Sequence, residues 1–139
     1  GYAVFAMGEL RDLRLAPREH LHVVGRDWSI REALAFAQRA DLVLGQETGI
    51  LNAVAFEPMR KVVLLSHSTA KNLTEHWRNT VALHGTPDCW PCHQIHYLQA
   101  GWLHCNQDAS TRAAKCQATI SVSQVLEAVE RKFVARAAA

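Results

Sequence analysis

The chain has 139 residues, 49% of them hydrophobic and 20% charged, with a formal net charge of +2. That length suits one domain with its own core, and the composition is typical of a soluble globular protein. The near-neutral balance gives no electrostatic footing for nucleic acid, and no apolar run approaches the roughly 20 residues that span a bilayer as a helix.

The chain opens Gly1-Tyr2-Ala3-Val4-Phe5, inside what reads as a strand. It is expected to be a piece cut from a longer protein, a processed start being the alternative. Tyr2 to Met7 reads as the first strand, closed by Gly8, with a short crossover helix at Glu9 to Leu15 before Pro17. Leu21 to Val24 is a second strand. Ser29 and Glu32 then stand at capping-box spacing. The helix they open should bury Ile30, Ala33, Leu34 and Ala37 on one face. Asp41 to Leu44, ending at Gly45, is the pattern of a strand buried on both faces. The polar turn Gln46 to Gly49 leads into an alanine-rich helix over Ile50 to Phe56, and Lys61 to Leu65 is another buried strand. This strand–turn–helix–strand succession is one βαβ unit.

Farther on, Asn72 and Glu75 repeat the capping spacing and open a short helix through Trp77, and Thr80 to Leu83 is a fifth strand. Residues 85–119 show no sustained period and hold all four cysteines. Ser121 and Gln124 box the last helix, whose stripe is Val122, Val125, Leu126, Val129 and Phe133. The expected architecture is a single domain over 1–139. It is a Rossmann-like three-layer α/β sandwich with a parallel sheet of about five strands and a Cys-rich excursion, 85–119, before the last helix.

In an open α/β sheet, ligands bind at the carboxyl ends of the strands, here Gln46 to Gly49 and Ser66 to Ala70. Thr48 and Gly49 sit where a helix begins, and free N–H groups there suit a phosphate or diphosphate. Glu47 would repel phosphate and is better suited to accept hydrogen bonds from hydroxyls such as those of a sugar. The plainer alternative is that Thr48 caps the helix and Gly49 eases the turn. No G-x-G-x-x-G follows the first strand, which disfavours an NAD-type Rossmann enzyme.

The segment VLGQETGILNAVAFEPMRKVVLLSHST resembles the donor-binding segment of the ADP-heptose–lipopolysaccharide heptosyltransferase family, glycosyltransferases of the GT-B fold. The stretch Gly25-Arg26-Asp27-Trp28-Ser29-Ile30-Arg31-Glu32-Ala33-Leu34 also resembles the family's approach to the preceding helix. The likeness covers most of residues 20–84. It implies that Thr48 and Gly49 meet the donor diphosphate through backbone N–H groups and that Glu47 stands where the family has a sugar-contacting Asp. Asn52 stands where the family usually has His, and Ser66, His67 and Ser68 form the second donor-facing loop. Glu47 is one methylene longer than Asp, Asn52 cannot do imidazole chemistry, and Ser66 replaces the usual Gly. These departures point to a divergent subfamily with another sugar or acceptor.

The resemblance further implies inverting transfer from a nucleotide-diphosphate sugar to a glycan or lipopolysaccharide-type acceptor, with no metal or other cofactor required for catalysis. Lys71 or Arg78 would add positive charge, or serve only as solvated surface residues. The general base would lie in an upstream acceptor domain, so this piece alone should bind nucleotide and transfer nothing. The implied location is cytoplasmic, with peripheral contact to the inner membrane through the full-length protein. Four cysteines without a secretion leader also lead us to expect a reducing compartment.

Cys89-Trp90-Pro91-Cys92 has the knuckle spacing of tetrahedral zinc, and Cys105 and Cys116 complete a set of four. His93, His96 and His104 are alternative ligands. Structural zinc, disulfide pairing and free buried thiols all remain open from sequence. The rival to the enzyme reading is a non-catalytic nucleotide-binding or zinc-stabilised interaction module with a degenerate site.

Overall fold

Strand pairing follows the apolar runs of the sequence. In the computed structural model of the chain, residues 2–8, 18–24, 28–93 and 105–137 are described, with the side chains of the last helix as far as Arg131. The expected crossover helix at Glu9 to Leu15, the Gly25 to Asp27 stretch, His96 and His104 lie outside these residues, as does the side chain of Phe133. The chain divides into two units, Gly1–Phe36 and Ala37–Ala139.

In the smaller unit, β1 (Val4–Met7) pairs in parallel with β2 (Leu21–Val24), Val4 opposite Leu21 and Met7 opposite Val24. The capping box at the start of α1 (Ile30–Arg39) is formed as expected. The Ser29 amide and hydroxyl each donate to Glu32 Oε2 at 2.7 Å, and the Glu32 amide donates back to Ser29 Oγ at 3.3 Å. Those donors, the hydroxyl foremost, hold the Glu32 carboxyl below its ordinary value. The inner face differs from the expected one: Ile30 is exposed at 62%. Phe36 instead meets the ring of Phe5 edge-on at 5.0 Å and that of Trp28 at 5.0 Å. Of the other expected residues Ala37 is buried and Ala33 and Leu34 are half-buried, as is Phe36.

The larger unit carries a three-stranded parallel sheet in the order β3 (Leu42–Gln46), β4 (Arg60–Leu65), β5 (Thr80–His84). Gly45 is opposite Val63, and Val63 is opposite Ala82. The five strands and their parallel sense match the expected α/β class. They form a two-stranded and a three-stranded sheet among the described residues, not one sheet of about five. Burial on both faces holds for β4, where Lys61, Val62, Val63 and Leu65 are all buried. It fails for β3, whose Leu44 is 45% exposed and shares its face with exposed Gln46, so that this face of β3 is only partly covered.

Helix α2 (Gly49–Ala53) is shorter than expected, and Phe56 beyond it is exposed. Its Leu51 packs with Val63 and Leu65, and Val43, Leu73, Trp77 and Ala82 close around them. A second cluster joins Val54 and Met59 to Ala37. Lys61 is buried within β4, and its Nζ donates to the carbonyls of Glu57 at 2.8 Å and Met59 at 2.9 Å.

Helix α3 (Ala70–Leu73) is capped by Thr69, whose Oγ1 accepts from the Asn72 amide at 3.2 Å. The expected Asn72–Glu75 box is therefore not the cap: Thr69 has the extended backbone of an N-cap, and Asn72 already lies inside the helix. A short helix, α4 (Lys115–Ala118), precedes α5 (Val122–Ala137). The Ser121–Gln124 box forms, with Ser121 N donating to Gln124 Oε1 at 2.7 Å and Gln124 N to Ser121 Oγ at 3.2 Å. Among the described side chains of α5, Ala128 is the buried one, flanked by half-buried Val125 and Val129, whereas Val122 and Leu126 of the expected stripe are exposed. Among the described residues no helix is long and apolar enough to cross a membrane.

At the end of β5 the backbone of Gly85 lies against α4. A Cβ placed on Gly85 would sit 2.4 Å from the Cys116 carbonyl oxygen and 2.0 Å from Thr119 Oγ1, whereas one on Gly49 would meet nothing within 4 Å. Gly85→Ala is expected to lower stability by about 1–3 kcal/mol through overpacking. Gly49→Ala should stay within about 0.5 kcal/mol of the parent. Urea-denaturation midpoints measure both.

Candidate functional site

The sheet register builds the candidate site. Gln46 is opposite Leu64, so the residues that leave the two strands, Glu47 and Ser66, emerge side by side at their carboxyl ends. Glu47 turns inward, its side chain 6% exposed. Its Oε1 accepts from the Ser66 amide at 2.8 Å, from the Ser66 hydroxyl, and from the His67 amide at 3.0 Å. His67 Nδ1 lies 2.9 Å from the same oxygen and 3.0 Å from Ser66 Oγ. One carboxylate oxygen thus ties together the two loops that the sequence singled out. The other, Oε2, is buried with no hydrogen-bond partner among the described residues. Buried carboxylate oxygens are rarely left without a donor.

Beside this cluster, the β3–α2 turn is close-fitting. The Thr48 amide donates to the Gln46 carbonyl at 2.7 Å, so it is used within the turn. Thr48 sits at the N-cap with an extended backbone, but its side chain makes no capping bond. The Asn52 amide and its Nδ2 both donate to the Thr48 carbonyl, each at 3.0 Å. No described residue accepts from the N–H groups of Gly49 and Ile50, and Gly49 faces open space. Of the two amides assigned to a diphosphate, that of Gly49 is open and that of Thr48 is taken. Asn52 braces the turn and is exposed. Ser68 is half-buried on the second loop, and Lys71 and Arg78 are both exposed.

The sequence reading missed the coupling of Glu47 to Ser66 and His67. The signal was present: an acid one residue past one parallel strand, and a Ser-His pair one residue past the next.

The cysteine-bearing region closes against the same loop. The His93 amide donates to the His67 carbonyl at 2.9 Å. Trp90 stacks on His84 with centroids 4.0 Å apart and planes 2° from parallel. Farther on, Gln107 bridges Ala114 in antiparallel sense. The Lys115 amide donates to the Asn106 carbonyl at 2.9 Å, and the Asp108 amide to the Ala113 carbonyl at 2.8 Å. Asp108 organises the tip of this hairpin, its Oδ1 accepting from the amides and hydroxyls of Ser110 and Thr111. A pocket of about 300 Å³ lies between the segments, lined in part by Pro87, Asp88, Asn106, Asp108 and Lys115.

All four cysteines are free thiols. Burial, and after it the charges of Cys89 and Cys92, raise the Cys105 thiol. Burial and the charge of Cys105 are the leading causes that raise Cys116. Among the described residues no three His, Cys, Asp or Glu side chains form a ready metal-binding group as they stand.

No protein-family model, curated protein or solved structure matches the chain.

Two outcomes test this geometry. Glu47→Ala would strand the Ser66 and His67 amides and should cost about 1–3 kcal/mol, with Glu47→Gln, which keeps an acceptor, recovering part of it; urea denaturation reads both. The Asp108 carboxyl is held down at about 2, chiefly by the Ser110 hydroxyl and then by the Thr111 amide. Because this folded value lies below the ordinary one, its stabilisation is complete above about pH 4 and is lost as the pH falls through about 2. The Ser110 and Thr111 amide resonances should titrate with that low midpoint in NMR spectra.

Proposed function

We propose that this chain is the donor-binding part of a glycosyltransferase resembling the heptosyltransferases, taking a nucleotide-diphosphate sugar. The observation that carries the reading is the open Gly49 amide beside the buried, donorless Oε2 of Glu47. A diphosphate oxygen would accept from the former, and a sugar hydroxyl would donate to the latter once the Glu47 side chain turns outward, since Oε2 is sealed from solvent as it stands. The tie from Glu47 to Ser66 and His67 supports it by holding the second loop rigidly beside the first. In this reading the five parallel strands belong to one Rossmann-like half of a GT-B fold. The acceptor, a glycan or lipopolysaccharide-type molecule, and the general base belong to a further domain. Leaving-group charge is answered by backbone donors, and Glu47 acts on the sugar and as the residue that positions Ser66 and His67.

The rival reading, a module that kept the fold and lost transfer, is favoured by one observation: the Thr48 amide is already used by the Gln46 carbonyl. Titration calorimetry with ADP, UDP and GDP separates the two. Binding of at least one diphosphate is expected, weakened about tenfold or more in Gly49→Val, whose side chain would fill the open face. A folded chain that binds none of the three would leave the module reading standing.

A further inference from the structure

We infer that Cys89, Cys92, Cys105 and Cys116 form a structural zinc site that closes the irregular region onto the loop carrying His67. The inference does not depend on the donor reading. Its first support is the backbone. The segment at 87–88 and the two arms of the hairpin, at 106–108 and 115–119, meet around one pocket, and its lining includes Asp88, Asn106 and Lys115. Each of these is the immediate chain neighbour of a cysteine, Cys89, Cys105 and Cys116 respectively.

Three further contacts bring the same residues together. The Lys115–Asn106 hydrogen bond places Cys105 and Cys116 at the same end of the hairpin, where α4 begins. Gly85 at the end of β5 touches the backbone of Cys116. The Trp90–His84 stack folds the CxxC segment back over that same strand end.

All four cysteines are free thiols, and these contacts carry the CxxC segment, Cys105 and Cys116 to one end of β5. Tetrahedral zinc takes four sulfurs around one centre. Among the described residues no three of these side chains yet form a ready metal-binding group. Thiolates brought together repel, and a divalent cation reverses the sign of that interaction. Binding releases the thiol protons to solvent.

The region also has a motive for a metal. Between Gly85 and Thr119, Gly85 is the only buried residue among those described, so it has little core of its own. An ion at the four sulfurs would supply the missing cohesion. Because Cys92 is followed by His93, whose amide holds the His67 carbonyl, the same ion would fix the loop of Ser66 and His67.

Cobalt substitution tests the site. The reduced 139-residue chain titrated with Co2+ should give thiolate-to-cobalt charge-transfer absorption and the intense visible bands of a tetrahedral centre, saturating at about one ion per chain. Zn2+ should abolish both. Cys105→Ser and Cys116→Ser should lose the four-sulfur spectrum. Cys116→His, which keeps a zinc donor, should retain tetrahedral cobalt with shifted bands, and this holds as the readout where the serine variants fail to fold. A folded, fully reduced chain with no cobalt–thiolate band would overturn the assignment. So would a spectrum that Cys105→Ser and Cys116→Ser leave unchanged, or alkylation and mass spectrometry showing two disulfides in chain purified without reductant.

Discussion

A carboxylate withdrawn from water must be answered by donors, and the way Glu47 is answered arranges the whole end of the larger sheet. Its Oε1 gathers two backbone amides and a hydroxyl from the loop that follows β4. The β3–α2 and β4–α3 connections are therefore not independent excursions; each is located by the other. This depends on parallel register, because only side-by-side strand ends bring an acid from one within reach of amides from the next. A sheet slipped by a residue would leave the carboxylate in an apolar setting without its donors.

The same end of the sheet receives the irregular chain that follows β5. His93 reaches the His67 carbonyl, and Gly85 admits α4 because it has no side chain to displace it. Candidate site and cysteine region thus share one loop. An event that orders the cysteines would be felt at Ser66 and His67 through the backbone, without any ligand moving between them.

Much of this was legible in the sequence, for physical reasons that differ by element. The strands were found because their apolar runs are short and bounded by glycine or polar turns. The boxes at Ser29–Glu32 and Ser121–Gln124 were found because that motif is local and complete within four residues. The Asn72–Glu75 spacing satisfied the same rule and failed, because Thr69 upstream offered a competing cap that the helix adopted. Faces were harder. Ile30, Val122 and Leu126 have the right period but stand exposed, since periodicity fixes which residues share a face and not how much of that face is covered. At the site, Thr48 and Gly49 were placed correctly at a helix start, while the inward turn of Glu47 was not foreseen. Its partners lie 19 and 20 residues away, and only the strand register brings them near.

Lys61 has a consequence of another kind. Along β4 the alternation that normally tells one face of a strand from the other is missing, because the residues are apolar on both sides. A strand of that sort can slide along its neighbours with little change in hydrophobic burial. The hydrogen bonds of the Lys61 amine do not oppose such a slide, because they go to the carbonyls of Glu57 and Met59, four and two residues upstream on the same segment. The buried ammonium works instead as a clasp on the bend at Glu57 to Met59, fixing the direction in which the chain is fed into the middle of the sheet.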